Sequence, residues 1–148
     1  MPPVSTYNID MYQGRSFTLD LSYLDDFNEA VDFEGADYFA QMQIRRSPAT
    51  TKLVLDMSNI GYPNGVTGGG SEGQFGGNSN NEGVQGTGGI VLNYAGETGA
   101  MRFEVDYVTM SHVPAGTHFY DVNVLNRDTG EMNKIVTGIV EVQAEVTR

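Results

Sequence analysis

The chain has 148 residues, with eight Lys and Arg against nineteen Asp and Glu, and its formal net charge is −11. Such an acidic surface repels phosphate groups, which argues against nucleic-acid binding and against docking on an anionic membrane, and favours solubility or a basic protein partner. The sequence has no cysteine, which excludes disulfides, thiol nucleophiles and thiolate metal sites.

The length suits one domain, residues 1–148, built around one hydrophobic core. No apolar run approaches the length of a membrane span, and the first five residues lack the basic and apolar parts of a signal peptide. We therefore expect a soluble protein that is made in the cytoplasm and is not exported by a visible signal.

Alternating apolar and polar residues predict four strands in the first part of the chain. They cover residues 7–12, 17–23, 38–45 and 53–57. Between the second and third strands, residues 25–37 are rich in Asp and Glu and contain no basic residue. Within this acidic stretch, Val31 and Phe33 are expected to fold back as a short edge segment.

Residues 58–89 have a different composition, with twelve glycines among 32 residues. Such a segment buries too little apolar area to offset its backbone entropy, so it predicts a long loop or an adaptable arm within the domain. Its candidate partner contacts are the apolar residues Tyr62, Val66, Phe75 and Val84. The alternative is a tolerated surface insertion, because lengthening a loop costs only about 0.6 kcal/mol per doubling.

The alternation resumes after the glycine-rich segment. It predicts strands over 90–93, 101–106, 116–125 and 135–142, one helical turn within 108–114, and a hairpin turn at 126–130. Seven or eight short strands, frequent turns and almost no helical period indicate an all-β sandwich of immunoglobulin-like type with one long Gly-rich loop.

Several segments resemble a family of small phage and prophage structural proteins. They are Tyr12–Leu19 (YQGRSFTL), Asp32–Asp37 (DFEGAD), Ala40–Arg45 (AQMQIR), Tyr120–Val124 (YDVNV) and the ending Glu145–Arg148 (EVTR). The resemblance implies a β-sandwich virion component associated with tail, baseplate or fibre proteins and assembled in the host cytoplasm. It supplies no catalytic or metal-binding residues, and the glycine-rich segment 58–89 is an addition to the family pattern.

Two motifs are compatible with bound ligands but are better explained without them. Residues 68–73 satisfy G-x-G-x-x-G, yet no helical pattern follows, as a dinucleotide site requires, so a flexible loop is favoured. His112 and His118, with Glu104 or Asp106, have no recognised ligand spacing and are interpreted as packing or surface residues. No cofactor is predicted.

The acidic stretch is a weak candidate for a hard cation such as calcium, with Asp25, Asp26 and Asp32 as possible ligands. The order of its residues does not fit an EF-hand. A solvated acidic loop is therefore the favoured interpretation.

Together these features predict a non-enzymatic virion structural protein in the tail, baseplate or fibre-attachment region. Its partners are expected to be other virion structural proteins, with many copies in a symmetric assembly. One alternative is a capsid decoration or neck protein of the same fold. Another is a host-glycan-binding module that holds calcium at residues 25–34.

Overall fold

The computed structural model describes residues 5–25, 27–47, 53–60, 62–68 and 84–144. The strands are β1 (Ser5–Thr6), β2 (Ile9–Tyr12), β3 (Phe17–Ser22), β4 (Tyr38–Arg45), β5 (Leu53–Ser58), β6 (Val66–Gly68), β7 (Val84–Gly86), β8 (Gly88–Leu92), β9 (Ala100–Val105), β10 (Gly116–Asn126) and β11 (Glu131–Gln143). One short helix, α1 (Tyr107–Met110), and a 3-10 turn (Tyr94–Gly96) complete the described elements. No helix among them is long and apolar enough to cross a membrane.

The strands form two sheets. The large sheet has the order β1-β11-β10-β4-β5-β6-β7, with β2 also paired to β11, and the small sheet has the order β3-β9-β8. Only β1 and β2 run parallel to their partner, and every other pair is antiparallel.

The core lies between the inner faces of the two sheets, where the period-two pattern places its apolar residues. On β9, Met101 and Phe103 are fully buried while Arg102 and Glu104 are only half-buried. They face residues of the large sheet that include Met42, Ile44, Leu55, Met57 and Val122. Burial of each such side chain contributes about 1.5–3 kcal/mol.

The chain crosses between the sheets four times, from β2 to β3, from β3 to β4, from β7 to β8 and from β9 to β10. This is the connectivity of a variable-type immunoglobulin sandwich, in which extra strands extend the sheet that holds the closing hairpin. The prediction of an all-β, immunoglobulin-like sandwich is confirmed. The described strands number eleven rather than seven or eight, because β1, β6 and β7 are very short.

The prediction of a loop over the whole of residues 58–89 was wrong in part, because some of these residues form strands. β6 and β7 pair with each other, β6 pairs with β5, and β8 begins at Gly88, so within 58–89 only residue 61 and residues 69–83 lie outside the described part. Glycine is compatible with these strands because the hydrogen bonds of the ladder are made by backbone groups. Where two backbones pack closely, a side chain would not fit. A Cβ on Gly88 would lie 2.0 Å from the carbonyl oxygen of Glu104.

The expected edge segment at Val31 and Phe33 folds back at Val31, whose N–H donates to the Tyr23 carbonyl at 3.0 Å, but it forms no strand. Phe33 instead enters the core beside Tyr23 and Tyr38, with ring centroids 6.0 and 5.3 Å away. Offset-stacked and edge-to-face aromatic pairs of this kind stabilise a fold beyond simple burial. The Phe33 ring therefore attaches the acidic stretch to the core.

Candidate interaction surfaces

The acidic loop lies at one end of the sandwich, beside the β10–β11 hairpin turn. Arg127 Nη2 donates to Asp37 Oδ1 at 2.9 Å, and the Arg127 backbone N–H donates to the Asp37 carbonyl at 2.7 Å. The Asp37 N–H in turn donates to Asp128 Oδ2 at 3.1 Å. These bonds fix the two loops against each other, at the end where variable-type immunoglobulin domains place their recognition loops.

The tip of the loop is a turn organised by Asp25. Its Oδ1 accepts backbone N–H bonds from Phe27 at 2.8 Å and from Glu29 at 3.0 Å, and Asn28 adopts a left-handed conformation with φ of 63°. Aspartate and asparagine are suited to such turns because their short side chains bond to the nearby backbone. The turn holds Phe27 outward with 84% of its surface exposed.

A second aspartate ties the rest of the loop to the small sheet. Asp32 Oδ1 accepts from the Glu34 N–H at 3.0 Å and from Asn93 Nδ2 at 2.9 Å, and both bonds lower the pKa of Asp32. Asn93 Oδ1 accepts from the Gly99 N–H at 3.1 Å and from the Phe33 N–H at 3.4 Å. The loop is therefore held at both ends by hydrogen bonds.

The surroundings of Phe27 are acidic. Glu29, Asp32, Glu34 and Asp37 are exposed, and among the described residues of 23–37 and 127–130 the single basic side chain is Arg127. We call Phe27 with this acidic rim the Phe27 surface. Its chemistry is complementary to an apolar pocket with a basic rim.

The calcium candidates are not brought together among the residues that the structure describes, where no group of three carboxylate or imidazole side chains is placed to hold a metal. One oxygen of Asp25 and one of Asp32 already accept two N–H bonds each. Asp26 lies outside the described residues.

The four candidate contacts in the glycine-rich segment fall in different places. Tyr62 is 42% exposed, and its hydroxyl donates to Glu104 Oε1, which raises the pKa of Tyr62. Val66 is 1% exposed, so its side chain packs in the core instead of facing a partner. Val84 pairs with Gly68 in the ladder. Phe75 lies outside the described residues, as does most of the G-x-G-x-x-G motif.

The two histidines bond to nearby backbone carbonyls. A ring nitrogen of His118 lies 2.8 Å from the carbonyl oxygen of Pro114, and one of His112 lies 2.9 Å from that of Val108. Asp106 accepts from Thr109 and from the Thr87 N–H. Burial acts to raise the pKa of Asp106, but these hydrogen bonds hold that pKa below its usual value.

A second surface, which the sequence did not indicate, lies on the outer face of the large sheet. Alternation predicts that Gln41 and Gln43 face water, yet they are only 2% and 4% exposed, and Asn123 on β10 is 6% exposed. Beside Gln43 is a cleft of about 250 Å³. Its walls include Gln43, Arg45, Phe119, Asp121, Lys134 and Thr137. We call it the outer-sheet cleft.

No protein-family model matches the sequence, and no curated protein matches it. One similar solved structure is the extracellular domain of the voltage-gated sodium channel β4 subunit, whose parallel homodimers are described as explaining its role in cell–cell adhesion. Its TM-score is 0.39 at 11% identity, over 99% of this chain and 98% of that chain.

Another similar structure comes from photo-crosslinking work on multimeric cell-adhesive interactions of sodium channel β subunits. Its TM-score is 0.35 at 10% identity, over 99% of this chain and 100% of that chain. These likenesses establish no family for the chain, and the resemblance to phage structural proteins stays a prediction.

Proposed function

We propose that the protein is a non-enzymatic structural module of a bacteriophage particle, and that it binds a neighbouring virion protein through the Phe27 surface. The observation that carries the binding part is Phe27 itself, 84% exposed on a hydrogen-bonded turn. The motif resemblance supports the virion part and a place in the tail, baseplate or fibre-attachment region.

The geometry of the turn favours binding over simple solvation. Exposing a large aromatic ring to water is unfavourable, and burying it in a partner recovers that free energy. Because Asp25 already fixes the backbone around Phe27, little conformational entropy is lost when the loop docks. The acidic rim steers the loop towards a basic partner and rejects acidic ones.

The test compares particles assembled with wild-type protein and with the Phe27→Ser variant. Phe27 is 84% exposed and is not part of the buried core, so the variant should keep its thermal midpoint. Its incorporation into purified particles, measured by quantitative mass spectrometry, should fall at least tenfold, the typical effect of removing a central aromatic contact.

Tyr107→Ser is the matched control. Tyr107 is 64% exposed on α1, at the opposite end of the sandwich, and should be replaceable without loss of incorporation. Normal incorporation of Phe27→Ser would contradict the role of the Phe27 surface. Absence of the wild-type protein from particles would contradict the virion location itself.

A further inference from the structure

The outer face of the small sheet carries polar residues from all three of its strands. Arg102 of β9 lies opposite Asp20 of β3. Two residues further along β9, Glu104 lies opposite Gly89 of β8. Side chains of a strand alternate between the two faces of its sheet, and the core residues of β9 take the inner face. Arg102 and Glu104 therefore lie side by side on the face that is turned away from the core.

Tyr62 is held over the Glu104 end of this face. Its hydroxyl donates to Glu104 Oε1, and its ring carbon Cδ2 would lie 3.4 Å from a Cβ on Gly89. The ring thus covers a position where the sheet has no side chain of its own. Because Tyr62 is still 42% exposed, part of this fixed ring stays open to solvent.

Tyr94 is held at the Arg102 end of the same face. The guanidinium carbon of Arg102 lies 4.5 Å from the centre of the Tyr94 ring, which is a cation–π contact. Arg102 Nε also lies 3.2 Å from Glu104 Oε2, so one ion pair connects the two ends. We call Tyr62, Tyr94, Arg102, Glu104 and Asp20 the tyrosine platform.

The tyrosine platform has hydrogen-bonding groups that the protein does not use. The terminal NH₂ groups of Arg102 make no hydrogen bond to a described residue, and 26% of this side chain is exposed. Asp20 Oδ1 lies 3.9 Å from Arg102 Nε, which is beyond hydrogen-bond range, and 68% of the Asp20 side chain is exposed. Donors and an acceptor therefore lie next to each other and face solvent.

The charges of the tyrosine platform favour a neutral ligand. Asp20 and Glu104 repel an anion, and Arg102 repels a cation. A sugar ring is neutral and has one apolar C–H face, which can stack on an exposed aromatic ring. Each of its hydroxyls can both donate and accept, so two adjacent hydroxyls can pair with a guanidinium and a carboxylate at once.

We propose that the tyrosine platform binds a neutral saccharide unit. The apolar face of the sugar stacks on Tyr62, one hydroxyl accepts from an Arg102 NH₂ group, and the adjacent hydroxyl donates to Asp20. Glu104 and Tyr94 already hold the tyrosine ring and the guanidinium in place, so binding orders few additional groups. The site requires no calcium, and it is independent of the Phe27 surface and of the location of the protein in a particle.

Titration of the ¹⁵N-labelled protein with simple glycosides tests this site. The probes are the methyl glycosides of glucose, galactose, mannose and N-acetylglucosamine, which differ at adjacent hydroxyls. At least one of them should cause saturable shifts of the Arg102 Nε–H signal and of the β9 backbone amides, with a millimolar Kd of the size expected for so small a ligand. The Phe27 amide should not shift. Sorbitol, which has hydroxyls but no rigid ring, should not bind.

Two variants test the assigned contacts. Tyr62→Leu removes the stacking ring and Asp20→Ala removes the acceptor, and each should weaken binding about tenfold. Tyr12→Leu and Asp10→Ala are the matched controls on β2 and should bind as the wild type does. Tyr12 is 45% exposed and has Arg15 over its ring at 5.3 Å, and Asp10 is exposed. Amide spectra of each variant establish that it is folded.

Four results would overturn the proposal. One is the absence of a saturable shift on β9 with every glycoside. A second is equal binding of sorbitol, which would remove the requirement for a sugar ring. A third is unchanged affinity of a folded Tyr62→Leu variant. The fourth is binding of methyl glucuronide without binding of any neutral glycoside, which would assign the face to acidic sugars.

Discussion

At the scale of single residues, the outer face of the large sheet combines burial with charge. Asp56 on β5 lies opposite Gln43 and accepts from Gln41, yet most of its carboxyl group is removed from water. Burial raises the pKa of Asp56 to about 6, against the opposing effects of the Gln41 bond and the nearby Arg45 charge. An ionised Asp56 therefore destabilises the folded state.

The Asp56→Asn variant should be more stable than the wild type at pH 7.5, by about 1–3 kcal/mol, because Asn keeps an acceptor for Gln41 and carries no charge. Between pH 4 and about 6 the folded wild type holds a proton that the unfolded chain has lost. Wild-type stability thus falls as pH rises through this window, and the advantage of the variant grows over the same range.

Urea unfolding of both proteins from pH 4 to 8 measures this difference. Comparing the two proteins at each pH cancels the contributions of other carboxyl groups, such as Asp32 and Asp106, whose lowered pKa values act in the opposite sense. A difference that stays constant across the whole range would contradict the buried-carboxyl explanation.

At the scale of elements, the attachment of the first strands depends on one glycine. A Cβ on Gly138 of β11 would lie 2.2 Å from the carbonyl oxygen of Tyr7, the same oxygen that accepts from the Tyr120 hydroxyl. Tyr7 also donates from its backbone N–H to Thr137 at 3.0 Å. The N-terminal strands can pack here only because residue 138 has no side chain.

We expect Gly138→Ala to displace Tyr7 and to destabilise the protein by about 1–3 kcal/mol, the usual effect of forcing atoms into a packed site. Hydrogen exchange should locate the damage, with faster exchange along β1 and β2 and unchanged protection in β9. Gly35→Ala is the control, since its nearest contact would be 3.3 Å from the Asp32 carbonyl. Uniform loss of protection across both sheets would contradict a local role for Gly138.

The sequence predicted those elements whose burial follows a simple alternation. The bounds of β4 were predicted correctly, and α1 falls where a helical turn was expected. β6 and β7 were missed because glycine gives no alternation, although its backbone pairs normally. β11 begins at Glu131, four residues before the predicted start. Three of its first four residues, Glu131, Asn133 and Lys134, are polar and give no apolar alternation, although all four pair with β10.

The candidate surfaces were harder to predict for a related reason. In the sequence Phe27 is a single aromatic residue among acidic ones, so no periodic pattern predicts whether its side chain is buried or exposed. The turn around Asp25 is what shows that it faces outward. Gln41 and Gln43 have the spacing of water-facing residues, and their burial depends on neighbours from β5 and β10 that are distant in sequence. Sequence spacing carries no information on such contacts.

At the scale of the whole molecule, the β6–β7 ladder brings together the two positions that flank residues 69–83. Gly68 and Val84 are direct partners in the β6–β7 ladder. Replacing residues 69–83 by Asn-Gly, a two-residue hairpin turn, should leave the thermal midpoint within a few degrees of wild type, because the ladder is already in register. A large loss of stability would show that the segment contributes to the fold.

The same deletion separates the two interpretations of this segment. If it is an arm that contacts a neighbouring subunit, incorporation into particles should fall while folding is retained. If incorporation is unchanged, the segment is a tolerated insertion.

The pairing of β2 with β11 also determines the order of events during synthesis. Asn8 accepts from the N–H of Ile139, which follows it by 131 residues. At typical translation rates the interval between the two is about 10 s, much longer than a strand pair needs to form. β2 is thus synthesised long before its partner β11, and until β11 emerges the apolar residues and free backbone groups of β2 are open to a chaperone or to a second nascent chain.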